Sequence, residues 1–153
     1  MRRSDKEIAD ASVVMSVIEQ SLVCRLGLSD GYRPYVVPLC FGYQDGCLYF
    51  HCAPDGEKIE MLRKNSQVCF EFDINAQTIQ NELACNWSMK YQSVIGFGKA
   101  VFVEDSEEKS MALDIIMRQY SDHRNYSIPK DSLKAITVVK VLIESMTGEQ
   151  SGY

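Results

Sequence analysis

Between Arg33 and Lys58 the chain reads RPYVVPLCFGYQDGCLYFHCAPDGEK, and this stretch restricts the fold more than any other. Tyr35 to Tyr43 is rich in Val, Phe and Tyr, Gln44-Asp45-Gly46 is a hairpin-type turn, and Cys47 to Ala53 is the returning strand. A turn this short joins only antiparallel neighbours. Pro38 interrupts the first strand. It has no N–H for a ladder, so it belongs at a bulge or an unpaired edge, where it either frees neighbouring backbone for a ligand or simply marks an edge strand. The run delivers His51, Gly56 and Lys58 into one loop ahead of a helix, where open backbone N–H groups, close approach and a positive charge suit an anionic group.

The flanking sequence extends the β pattern. Ile8, Ala11, Met15, Ile18 and Leu22 recur at steps of three and four, which predicts an amphipathic helix from about residue 5 to 20. Leu22 to Leu28 is β-like and is broken by Ser29-Asp30-Gly31. Asp55 is the expected cap of a short helix running through Ile59 and Leu62 to near Asn65. Val68, Phe70 and Phe72 alternate with polar neighbours in a half-buried strand, and residues 74–86 read as a loop with a helical turn. Tyr91 to Val103 is a long strand in which Gly96 and Gly98 mark a bend, a bulge or a close approach. Asp105 with Glu108 starts a second amphipathic helix carrying Leu113, Ile116, Met117 and Tyr120, and Ala135 to Ile143 is the last strand.

Six or so mostly antiparallel strands with two to three helices predict a mainly β protein, a small β-barrel with flanking helices. The 153 residues suit a single domain over 1–153. Gly96-Phe97-Gly98 sits inside a strand with no helix after it, so it is poor evidence for a Rossmann dinucleotide site. A net charge of −5 argues against nucleic acid as partner. The N-terminus has two arginines but no apolar run of signal-peptide length, and no window approaches a membrane span, so the expected location is cytoplasmic. Six cysteines without a Cys-x-x-Cys pair, set in apolar strand patterns, read as reduced thiols.

No set for hydrolysis or metal chemistry emerges, and no metal is expected: His51 and His123 are the only histidines, and no His-x-x-x-His spacing occurs. A bound cofactor fits better, with the protein supplying binding, orientation and electrostatics. Lys58, with Gly56 before it and Arg25 across the sheet, are candidates for a phosphate, and Ser93 adds a hydroxyl; each is equally at home as a surface residue. His51, at the end of Leu48-Tyr49-Phe50, is either a structural residue or a proton donor at the mouth of the site. Neighbours in a strand point to opposite faces, so the His51 and Cys52 side chains do not meet. Trp87 and Tyr91 could form a flat wall for a ring system or pack in the core or between subunits.

At these residues the chain resembles the pyridoxamine 5′-phosphate oxidase-like flavoproteins, in the branch of the nitroimidazole-resistance (nitroimidazole reductase) proteins. The matching pieces are Pro34-Tyr35-Val36-Val37-Pro38-Leu39, Gly46 with Leu48-Tyr49-Phe50-His51, Ala53, Gly56 and Lys58, then Tyr91, Ser93-Val94-Ile95, Gly98-Lys99-Ala100 and Met146-Thr147-Gly148. The resemblance implies an FMN-binding split β-barrel homodimer with FMN in clefts at the subunit interface. Backbone of Val36, Val37, Pro38 and Leu39 would face the isoalloxazine edge. His51, Cys52, Ala53 and Lys58 would line the ribityl–phosphate side, with Ser93 nearby and Arg25 and Trp87 as further contacts. His51 matches a histidine associated with the active site in that branch. The implied activity passes electrons from NAD(P)H through flavin to a small planar acceptor such as a nitroaromatic. The alternative is a non-catalytic flavin- or haem-binding module for storage or sensing.

Overall fold

The computed structural model describes residues 4–122, 126 and 128–153. Its strands are β1 (Glu7–Ile8), β2 (Cys24–Ser29), β3 (Pro34–Leu39), β4 (Gly42–Gln44), β5 (Cys47–Cys52), β6 (Gln67–Ile79), β7 (Ser88–Val103) and β8 (Thr137–Ser151). The helices are α1 (Ala11–Gln20), α2 (Glu57–Lys64), α3 (Ser106–Tyr120) and the single turn α4 (Lys130–Lys134). The strands form one antiparallel sheet in the order β3-β2-β6-β7-β8-β5-β4, with β1 added on β8. β3 and β4 end the order and do not pair, so the curled sheet is split along that seam.

Period-two burial builds the core. Leu26, Phe70, Phe72, Val94, Leu48, Phe50, Val139 and Val141 point inward, and Val14, Val17 and Ile18 of α1 close on them. Val138 faces the other way and joins Tyr49, Val103, Ala112, Leu113, Ile115 and Ile116 beneath α3. Both faces of β5 and β8 are therefore covered near their meeting point, whereas β6 and β7 leave one face open. Gly96 is where the inner face is tightest, since a Cβ there would lie 2.1 Å from the Phe70 ring.

The Gln44-Asp45-Gly46 turn forms as expected, with Asp45 and Gly46 both at positive φ (51° and 73°). Pro38 sits on an edge strand in regular register with Arg25 rather than at a bulge. Gly98 marks a bulge in the β7–β8 pairing.

Other elements differ from expectation. α1 begins only at Ala11, because the Asp10 carboxylate accepts the Ser12 amide as cap and Ile8 is spent on β1 opposite Gly148. β6 runs on to Ile79 past an irregularity at Asn75, whose φ is 58°, so the expected loop shrinks to 80–87 with a 3-10 turn at Ala84–Asn86. β8 continues through Met146-Thr147-Gly148 to Ser151. The count is thus eight strands and four helices among the described residues, against six and two or three expected. His123 lies outside the described residues.

The strand register fixes two ends of the barrel. At one end lie the β2–β3 tip, the end of β5, α2, the start of β6 and the end of β7. At the other, β6 and β7 project as a two-stranded arm: Gln77–Ile79 pair with Ser88–Lys90, and among the described residues no other strand flanks them. The thirteen residues of β6 separate these ends by about 40 Å along the strand.

Candidate functional site: a turn at the start of α2

α1 and α3 are capped by Asp10 and Asp105, whose carboxylates accept first-turn amides. α2 is different. Its cap position is Gly56, not the expected Asp55, and among the described residues no side chain supplies a cap hydrogen bond. Gly56 has φ +110°, a conformation L side chains rarely adopt, and the space around its α-carbon is open. The turn therefore leaves α2's amides facing outward with the helix dipole behind them, two residues from the Lys58 ammonium. Arg33 pairs with Glu57, which ties the start of β3 to the start of α2. Lys58 Nζ stands 5.7 Å from the centre of the Phe50 ring. It also lies close enough to Cys52 to lower that thiol's pKa, although burial acts more strongly and pushes it up overall. The thiol is thus held protonated rather than primed as a nucleophile.

Among the described residues β3 has β2 on one side and no strand on the other. Its Val36 and Pro38 are exposed, while Tyr35 and Val37 pack against the core and Leu39 is buried. A free backbone edge therefore runs away from the α2 turn, with Pro38 removing one donor from it. Cys52, Ala53 and Lys58 lie at one end of the barrel, and Val36, Val37, Pro38 and Leu39 lead away from that end along β3. This group offers main-chain groups along an edge and, at one end of that edge, an uncapped helix start where Lys58 stands among the acidic Asp55, Glu57 and Glu60; the open amides and Lys58 are the groups that could meet the anionic tail of an elongated ligand.

His51 belongs to the same strand end but its side chain does not join the group. Leu48, Phe50 and Cys52 face the barrel core, Cys47 and Tyr49 face α3, and His51 follows the latter. Its imidazole borders a cavity of about 300 Å³ lined by Leu113, Ile116, Met117, Tyr126 and Ile128. The missed signal was in α3: Met117 was assigned to a packing face, and it also lines this cavity.

Arg25, Ser93 and Trp87 lie elsewhere. Arg25 stands between Pro38 and Glu71 in register, and its guanidinium is engaged by Glu71 and Asp73. Ser93 pairs with Asp73 and Glu149 midway along β7. Trp87 is at the base of the arm's tip, with its indole N–H donating to the Asn81 carbonyl at 2.6 Å. The same outward face carries an apolar band: Val36, Gly27, Cys69 and Phe97 follow one another across four strands, with Ile95 beside Phe97. Phe97 is 54% and Val36 64% exposed, and the Arg25–Glu71–Asp73 cluster borders the row on the same face. The row is not visible in sequence because it forms only through the pairing of four strands.

The Arg25 cluster yields a pH-dependent expectation. Burial raises the Glu71 carboxyl pKa, the Arg25 hydrogen bond lowers it, and the Asp73 charge raises it. Replacing Arg25 with Met removes the lowering contribution. The folded protein then holds a proton that the unfolded chain releases, so stability falls as pH climbs above the ordinary carboxylate range. Arg25→Met should cost about 1 kcal/mol at pH 7, since screening limits so exposed a pair, and the deficit should close near pH 4. Paired urea titrations at the two pH values check it; an equal deficit at both would rule out the carboxylates as its source.

A split antiparallel barrel whose open edge leads to an uncapped, lysine-bearing helix turn defines the class: a mainly β, split-barrel protein. Residues 10–150 match the pyridoxamine 5′-phosphate oxidase family model, and the chain belongs to the pyridoxamine 5′-phosphate oxidase-like family. Among solved structures it is similar to a candidate 5-nitroimidazole antibiotic resistance protein from Bacteroides thetaiotaomicron. That match has 40% identity over 93% of this chain and 84% of the other, with a TM-score of 0.83. The fold is also shared with the flavocytochrome Anf3 from Azotobacter vinelandii, at 17% identity over 100% of this chain and 72% of that one, with a TM-score of 0.87. A FAD and heme binding protein from Mycobacterium smegmatis shares it too, at 14% identity over 97% and 74%, with a TM-score of 0.86. No curated protein matches.

Proposed function

We propose that the chain is an FMN-dependent oxidoreductase of the nitroreductase-like kind, a cytoplasmic homodimer with its cofactor in clefts between subunits. The observation that carries this reading is the α2 turn, where Gly56 at φ +110° leaves a helix start without a side-chain cap beside Lys58. The residues fit FMN on this ground: a phosphoryl group takes hydrogen bonds from open amides and the charge of Lys58, and β3's free edge offers main-chain groups to a ring system. Family membership and the similarity to a nitroimidazole-resistance protein support the reading. When bound, FMN would take electrons as hydride from NAD(P)H and release them to a small planar acceptor such as a nitroaromatic.

The chain's own residues then bind and orient. Lys58 and the α2 amides hold the phosphoryl end; backbone of Val36 to Leu39 positions the ring edge; Cys52 and Ala53 line the side between. His51 turns to the α3 side of the same strand end, away from these groups, so the catalytic role expected of it is not carried into this cleft. The apolar band through Val36 and Phe97 is the surface a second copy covers, so the cleft is closed only in the dimer. Donor and acceptor share one cleft, which predicts ping-pong kinetics.

An absorbance scan of freshly purified protein tests the reading. The expected result is a flavin spectrum bleached by NAD(P)H under anaerobic conditions and restored by a nitroaromatic. A haem Soret band, or a flavin that resists reduction, would instead support a binding module. Lys58→Ala should weaken FMN binding by about 10–100-fold, the usual weight of a charge-assisted phosphate contact, and leave the melting temperature of the flavin-free protein unchanged. Unchanged FMN affinity would remove Lys58 from the phosphate site.

A further inference from the structure

α2 is tied at both ends to the turn that joins β2 to β3. The Asn65 side chain, just past the last turn of α2, donates to the Ser29 carbonyl at 3.0 Å. At the other end Arg33 pairs with Glu57, the first residue of the helix. The β2–β3 turn is itself fixed from within. The Asp30 carboxylate accepts the Tyr32 and Arg33 amides at 3.0 and 2.8 Å, and Ser29 Oγ accepts the Gly31 amide at 3.1 Å. Pro34 restricts the backbone of Arg33 to extended conformations and pairs in register with Ser29. The Arg33 guanidinium therefore reaches the start of α2 from a preorganised base.

Folding stability does not account for this arrangement. The Arg33 and Glu57 side chains are 61% and 42% exposed, and an ion pair so open to water adds little to folding. Its position matters more. Around the start of α2 the Lys58 ammonium faces three carboxylates, those of Asp55, Glu57 and Glu60, so the turn on its own repels an anion. A carboxylate in the first turn is also drawn to the same open amides that an external anion would use. Glu57 is the one of the three with a basic partner among the described residues, and that partner comes from outside the helix.

We propose that Arg33 is a positioning residue for the anion site: by holding the Glu57 carboxylate on the side of the β2–β3 turn, it keeps that group off the α2 amides, where it competes with the phosphoryl group of FMN. This rests on the FMN reading argued above. Arg33 acts through Glu57 without touching the cofactor, and the pair sets how strongly the site prefers a phosphorylated flavin over the bare ring system.

The test is to titrate flavin-free protein with FMN and with riboflavin, which lacks the phosphoryl group, and to follow flavin fluorescence. Arg33→Ala should weaken FMN binding about 5-fold, the order of one carboxylate charge brought near a phosphate, and leave riboflavin binding unchanged. Raising the salt concentration should shrink that loss. Glu57→Gln breaks the same ion pair, yet it should bind FMN at least as tightly as the wild type, and on that background Arg33→Ala should cost far less. The contrast between the two single variants is decisive, because a pair that only braces the turn would make both of them weaker. Glu57→Gln losing as much FMN affinity as Arg33→Ala therefore overturns the proposal. So does an Arg33→Ala loss of equal size on both backgrounds, which would put Arg33 on the phosphoryl group itself, or no loss at all. Each of these results leaves the FMN reading intact. A wild-type chain that binds riboflavin as tightly as FMN overturns the α2 phosphate site and the role of Arg33 together, and one that takes up neither flavin overturns the FMN reading with them.

Discussion

Gly96→Ala should destabilise the protein by about 3 kcal/mol, the upper end of the usual cost of overpacking a core, and most of that loss should vanish when Phe70 is first changed to Leu. A Cβ built at Gly96 lies 2.1, 2.5 and 2.8 Å from three atoms at the far end of the Phe70 ring. A flexible surface side chain would swing away at little cost. Phe70 cannot, because it is fully buried and its ring lies 5.8 Å from that of Phe72, itself fully buried. The conflict must then be relieved by moving β6 against β7, whose pairing here is regular from Gln67 to Ile74. Leu lacks the three ring atoms concerned. In a double-mutant cycle by urea denaturation, Gly96→Ala should therefore cost far less on the Phe70→Leu background than on the wild type. Additive effects would mean that the clash is absorbed elsewhere.

Gly96 also illustrates what could be read before any coordinates. Its place in a strand marks a bend, a bulge or a close approach, and nothing local to Gly96 chooses among these or names the ring that approaches it, because Phe70 is its register partner on another strand. The same limit runs through the chain. Period-two alternation at Val68, Phe70 and Phe72 and the Asp45-Gly46 turn are local properties, and both stand as expected. The start of α1 was misjudged because Ile8 fits a helical face as well as it fits β1, and only pairing with Gly148 decides between them. There a Cβ on residue 148 would come within 2.9 Å of both Ile8 and Val14. Residues 74–79 lacked a clean alternation because the strand changes register at Asn75, so an irregular strand passed for a loop.

For the site, Lys58, Gly56, Cys52, Ala53 and the β3 residues were legible as one run of sequence, since a hairpin followed by a helix start brings them together without long-range help. The remaining candidates depended on distance. Arg25 reads as a free cation in sequence, but β6 places Glu71 and Asp73 against it. His51 and Cys52 are adjacent in sequence and on opposite faces in space, and only the packing of α3 shows which face is which.

Phe41→Ala should cost about 3–5 kcal/mol, the range for deleting a buried aromatic side chain, and lower the melting temperature by about 10–15 °C for a chain of this size. Phe41 follows β3 and precedes β4, the two strands that border the open seam. It is fully buried, with its ring 4.7 Å from that of Phe72 and 6.5 Å edge-on from that of Tyr120. Its amide donates to the Tyr120 hydroxyl at 2.8 Å, and that hydroxyl donates in turn to the Leu22 carbonyl at 3.1 Å. One phenol thus ties the link between β3 and β4, the end of α3 and the approach to β2. Tyr120→Phe keeps the ring and leaves both backbone groups without this partner, which should cost about 1–2 kcal/mol, well short of Phe41→Ala. Burial pushes the Tyr120 phenol up to about 12, with the Phe41 amide acting in the opposite direction. Because the folded state holds this proton more tightly than the unfolded chain, the contribution is complete below the ordinary tyrosine value near 10 and is lost as pH rises through about 12. Wild-type protein should therefore lose stability more steeply than Tyr120→Phe between those values. Melts recorded across that interval decide the matter: parallel curves would mean that the phenol does not hold the seam.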